Sequence, residues 1–101
     1  MASSKKRLAP VHPGEALQEI MNEAGLSANA LALALRVPGS RITAILNGQR
    51  GITADTALRL GRYFGTFAQM WMNLRSTYEL EAAADTLEDR IGQEVMPRSA
   101  A

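Results

Sequence analysis

Ser40, Arg41 and Thr43 follow the turn Arg36-Val37-Pro38 and interleave with Ile42 and Ile45. On a short helix starting at Gly39, the isoleucines fall on one face and the three polar side chains lie off it. Polar groups at the start of an exposed helix suit the base edges of a DNA major groove, where an arginine can offer two hydrogen bonds to guanine O6 and N7. The first N–H groups of such a helix can also meet a phosphate. Asn47 and Arg50, just past the helix, suit contact with the DNA backbone. Other chemistry has little material. The chain has no cysteine, which removes disulfides, thiolate metal sites and a cysteine nucleophile. One histidine, His12, rules against a histidine metal cluster or a histidine-dependent triad. With no nucleophile–base pair and no glycine-rich phosphate loop, neither an enzyme nor a resident cofactor or metal is expected. His12, just before Pro13, reads as a cap or turn residue.

The elements that must position these groups are helices. His12-Pro13-Gly14-Glu15 is a helix start with proline at the first position, and Leu17, Ile20, Met21 and Ala24 continue it at helical spacing to a stop at Gly25. Ser27 caps a second, Ala-rich helix that ends before Pro38. The third runs from Gly39 to Asn47, where Asn47-Gly48 signals a turn. Thr53 caps the fourth, with Asp55 in its first turn and Gly65 at its end. Thr66 and Gln69 form a T-x-x-Q capping box that predicts the start of a fifth helix, running to Arg90. No stretch alternates long enough to predict a strand. Helices two and three, joined by a tight turn with Ala32 at their crossing, outline a helix-turn-helix over an apolar underside of Leu31, Leu35, Val37, Ile42 and Ile45.

At 101 residues, 47% of them hydrophobic and 21% charged, the chain supports one core. The expected division is a flexible basic arm over 1–10, a helix-turn-helix domain with a dimerisation helix over 11–90, and a frayed tail over 91–101. No apolar run is long enough to span a membrane or to act as a secretory signal, so a cytoplasmic protein without a membrane partner is expected. The net charge of +1 conceals an asymmetry. Residues 1–75 carry nine basic and four acidic side chains, and residues 76–101 carry two and six. Opposite charge on the two parts points to two electrostatic tasks.

The segment LSANALALALRVPGSRITAILNGQRGITADTALRLGRYFGTFAQMWMNL resembles the HigA-type antitoxins of the lambda-repressor-like (Xre) helix-turn-helix family. The His-Pro-Gly-Glu start at His12–Glu15, the VP-x-SRI turn at Val37–Ile42 and the run NGQRGITADTALRL-x-RYFGT at Asn47–Thr66 carry the likeness, over residues 12–80. The resemblance implies an all-α, five-helix DNA-binding domain whose last helix is longer, and a homodimer that binds double-stranded operator DNA and represses its own operon. It also implies neutralisation of a basic RelE-like, mRNA-cleaving toxin of the HigB type. The alternative is a stand-alone Xre-type repressor without a toxin.

Residue by residue, the resemblance places the recognition helix at Gly39–Asn47, with Ser40, Arg41 and Thr43 facing bases and Ser27 and Asn29 as phosphate contacts. Met70, Trp71, Leu74 and Tyr78 are candidates for a dimer seam as well as for core. Two acidic faces are candidates for docking the basic toxin. One is the i, i+4, i+8 stripe Glu15, Glu19 and Glu23; the other is the tail set Glu79, Glu81, Asp85, Glu88 and Asp89. Two positions depart from the family pattern. Arg36 stands where many relatives carry a turn glycine, at a cost of about 1–2 kcal/mol if its φ is positive. Gly39 stands where relatives often carry proline or a polar residue.

Overall fold

The computed structural model describes residues 11–99. The basic segment with Lys5, Lys6 and Arg7 lies outside the described residues. Five helices follow in order: α1 (Pro13–Ala24), α2 (Ala28–Leu35), α3 (Gly39–Leu46), α4 (Ala54–Phe64) and α5 (Ala68–Glu94). Among the described residues there is no strand.

The helix ends follow from local chemistry. His12 Nδ1 accepts from the Gly14 N–H at 2.9 Å, so the histidine does cap α1. Ser27 Oγ accepts from Ala30 N–H at 3.1 Å, and Thr53 Oγ1 accepts from Thr56 N–H at 3.4 Å. α1 and α4 end on glycines in the left-handed region, Gly25 at φ 69° and Gly65 at φ 73°. α2 ends in the same conformation without a glycine: Arg36 sits at φ 60°, ψ 45°. The stop is nevertheless a Schellman turn, in which Val37 N–H donates to Ala32 O at 3.0 Å. The fold therefore bears the strain, and Arg36→Gly is expected to raise the unfolding free energy by about 1 kcal/mol, visible as a higher urea midpoint at unchanged slope.

One core joins the helices: Leu17 and Met21 of α1, Leu31, Ala32 and Leu35 of α2, Ile42 and Ile45 of α3, Ile52, Ala57 and Leu60, and Trp71 of α5. Burial of Trp71 corrects its reading as a seam residue: at 0% exposure it belongs to its own core. Its Nε1–H donates to Thr66 Oγ1 at 3.2 Å. That contact also undoes the expected capping box. Thr66 serves the indole, Gln69 Nε2 donates to Asn73 Oδ1 at 2.9 Å, and α5 starts at Ala68 behind Phe67 with no side-chain cap.

α5 is longer than predicted. It passes Gly92 and ends at Glu94, with Arg90 and Glu94 paired at 3.0 Å in its last turn. The frayed tail expected from residue 91 is therefore helical for four more residues. Twenty-seven residues make a rod of about 40 Å. Only its first part lies on the core, and no described residue after Trp71 is buried. The radius of gyration, 17.1 Å, exceeds the roughly 13 Å of a compact domain of this size because the second half of the rod projects.

Candidate nucleic-acid interface

α2 and α3 pack against each other, with Ala32 of the first and Ile42 and Ile45 of the second buried in the core. Helical periodicity then turns Ser40, Thr43 and Asn47 outward, and all three are exposed. Thr43 Oγ1 donates to Gly39 O at 3.1 Å, which leaves its lone pairs facing out. Gly39 is exposed, and a Cβ there would meet nothing within 4 Å, so packing does not forbid a side chain. Gly48 N–H donates to Ile45 O at 3.1 Å and Gln49 N–H to Ala44 O at 2.9 Å, closing a turn that carries exposed Gln49 and Arg50 off the end of α3. Gln49 was not among the sequence candidates. At the start of α2, Ser27 and Asn29 are both exposed; Ser27 spends an acceptor on its cap and keeps its hydroxyl hydrogen.

Arg41 is placed differently from expectation. It stands about a third of a turn from the outward row, on the flank of α3 facing α4. Its Nη1 donates to Asp55 Oδ2 at 2.6 Å, its side chain is 23% exposed, and its Nε is buried without a hydrogen-bond partner among the described residues. Asp55 also accepts from Arg59 Nε, at 3.2 and 3.1 Å, and Arg59 Nη1 donates to Leu35 O at 2.9 Å. The hydrogen bond from Arg41, then that from Arg59, holds the Asp55 carboxyl below its ordinary pKa of 3.8. The sequence reading placed Asp55 only as a first-turn residue of α4. A signal was present: Asp55 is the only acid between Glu23 and Glu79, a stretch with six arginines.

The remaining candidates divide between two other surfaces. Glu15, Glu19 and Glu23 are exposed along α1. On α5, Glu79 pairs with Arg75 at 3.0 Å, Glu81 is half-buried, and Asp85, Glu88 and Asp89 are exposed. Met70, Leu74 and Tyr78 do come together. With Val11, His12 and Phe67 they line a groove of about 750 Å³ between the start of α1 and α5. Phe67 is 83% exposed at its edge, and the Tyr78 ring meets His12 edge-on at 4.9 Å between centroids. Sequence reasoning missed a second apolar row. Leu80, Ala84, Leu87 and Ile91 succeed one another at spacings of four, three and four on the projecting part of α5, and the three larger ones are exposed. That is the seam spacing of a coiled coil. Glu81, Asp85, Glu88 and Asp89 interleave with this row and mask it in the sequence.

No helix among the described residues is long and apolar enough to cross a membrane. The helix-turn-helix family model matches residues 17–66, from α1 to the end of α4. Virulence-associated protein I of Dichelobacter nodosus is 54% identical over 82 residues, covering 80% of this chain and 76% of that protein. Among solved structures, an addiction module antidote protein of the HigA family from Coxiella burnetii superposes with a TM-score of 0.85 at 47% identity, covering 90% of this chain and all of that one. The Pseudomonas aeruginosa antitoxin HigA, solved with the higBA promoter, gives a TM-score of 0.86 at 47% identity, covering 89% and 99%.

Proposed function

The chain belongs to the HigA-type antitoxins of the Xre helix-turn-helix family, and from that premise we propose that it represses its own operon and neutralises a basic, RelE-like ribonuclease toxin. One observation carries the DNA half: the start of α3 presents Ser40, Thr43 and Asn47 to solvent in a chain closely similar to an antitoxin solved with its promoter. Gly39, Arg41, Arg50, Ser27 and Asn29 complete the candidate surface. The protein is a homodimer in this reading, its subunits joined along α5 by the row from Leu80 to Ile91 and by the groove at Met70, Leu74 and Tyr78. Two-fold symmetry then sets the recognition helices about 34–36 Å apart, on the halves of an inverted repeat. Five arginines within the helix-turn-helix match, Arg36, Arg41, Arg50, Arg59 and Arg62, favour phosphate, so affinity falls with salt.

The test is a titration against the inverted repeat beside the protein's own gene, with a scrambled duplex as reference. Arg41→Ala is expected to weaken operator binding by about 1–3 kcal/mol. Equal affinity of the wild type for both duplexes would overturn the repressor reading. For the toxin half, co-expression with the small basic product of the adjacent gene is expected to give a complex that suppresses RNA cleavage. Reversing Glu15, Glu19 and Glu23 together weakens that complex and spares operator binding if α1 is the docking face. Failure of the two products to co-purify leaves a stand-alone repressor.

A further inference from the structure

Asp55 stands at the second position of α4, on the flank of the candidate recognition helix. Its carboxylate is the one negative charge between Glu23 and Glu79, next to a surface proposed to meet a polyanion. A bare carboxylate there would repel phosphate. It is not bare: Arg59 takes both of its oxygens, and Arg59 is itself moored to the carbonyl of Leu35, the last residue of α2. A continuous hydrogen-bonded path thus runs from the end of α2 through Arg59 and Asp55 to Nη1 of Arg41. Arg41 is the one arginine on α3. Its Nε lies buried, and Nη1 is taken by the carboxylate. The donors left for an external ligand are at the tip of the fork, whose direction the carboxylate fixes.

We propose that Asp55 is a positioning residue for sequence recognition: anchored by Arg59, it aims the Arg41 guanidinium at one place on the operator. The inference rests on the reading of α3 as the recognition helix. An unheld arginine visits many rotamers and finds any nearby phosphate. A held one loses less entropy on binding and meets its target in one geometry, so it contributes to discrimination rather than to general affinity.

A double-mutant cycle reads this directly, with Asp55→Asn, Arg41→Ala and the pair measured against the operator and against a scrambled duplex. Asp55→Asn is expected to weaken operator binding five- to tenfold while scrambled-duplex binding holds or rises. In the Arg41→Ala background the same change is expected to do nothing, because Asp55 acts through Arg41. Asp55→Glu, which keeps a carboxylate, is expected to recover part of the loss. Asp55→Ser, a residue suited to a helix start, replaces the asparagine variant if circular dichroism shows that one misfolded. Two results overturn the proposal. One is tighter operator binding by Asp55→Asn, which would make the carboxylate only a repellent of phosphate. The other is an equal effect with and without Arg41. Failure of the DNA reading looks different, since the wild type itself would then not distinguish the two duplexes.

Discussion

Trp71→Ala is expected to lower the unfolding free energy by about 3–5 kcal/mol, the range for truncating a fully buried large aromatic side chain. Single domains hold only about 5–15 kcal/mol in all, so much of the protein's stability rides on this side chain. The reason is its place. Trp71 is the largest buried residue, it stands where α5 meets α4, and its indole N–H satisfies the Thr66 hydroxyl in the link between those helices. Truncation removes the apolar contact, opens a cavity and leaves Thr66 unpaired. Urea denaturation followed by far-ultraviolet circular dichroism measures the loss. Sedimentation of the folded protein supplies the contrast: a core tryptophan moves the midpoint and leaves self-association of the folded fraction intact. A wild-type midpoint with weakened self-association would return Trp71 to the dimer seam.

The same residue shows what a sequence reveals and what it hides. Helix boundaries were legible wherever a local signal met no competitor: Pro13, Ser27, Thr53 and the glycines at 25 and 65 all act through their own backbone neighbourhood. Thr66 and Gln69 carried a signal of the same kind and failed, because Trp71, five residues on, takes the hydroxyl. Arg41 was misplaced for a related reason. Period and polarity put it off the core side of α3, but its direction is set by a carboxylate 14 positions away on another helix. Local rules do not foresee a partner that the fold supplies. Gly92, in the stretch expected to fray, shows the opposite case. A glycine costs a helix about 1 kcal/mol relative to alanine, yet α5 runs through it with the Arg90–Glu94 pair spanning the site. The outward row of α3, by contrast, is readable from the sequence. Exposure of Ser40, Thr43 and Asn47 follows from burying Ile42 and Ile45, which periodicity alone requires.

Gly14→Ala is expected to cost about 3 kcal/mol, the upper part of the range for forcing one extra carbon into a packed core. A Cβ at Gly14 would overlap the carbonyl oxygen of Ile45, and it would also crowd the His12 ring that caps α1. Backbone cannot swing aside as a side chain does, so α1 must draw back from α3. Gly39→Ala is the matched control, since its Cβ meets nothing within 4 Å and alanine is the better helix former. A lowered urea midpoint for Gly14→Ala beside an unchanged or raised one for Gly39→Ala confirms the close approach; equal midpoints refute it. The consequence reaches beyond stability. α3 has eight residues, too few to persist in water alone, so its direction is imposed by what it touches. Near its end it rests on α1 at Gly14, and along its flank it is tied to α4 through Arg41 and Asp55. Displacing the first support tilts the row of Ser40, Thr43 and Asn47 relative to the rest of the surface. Operator affinity of the folded Gly14→Ala protein should then fall even under conditions where nearly all of it is folded.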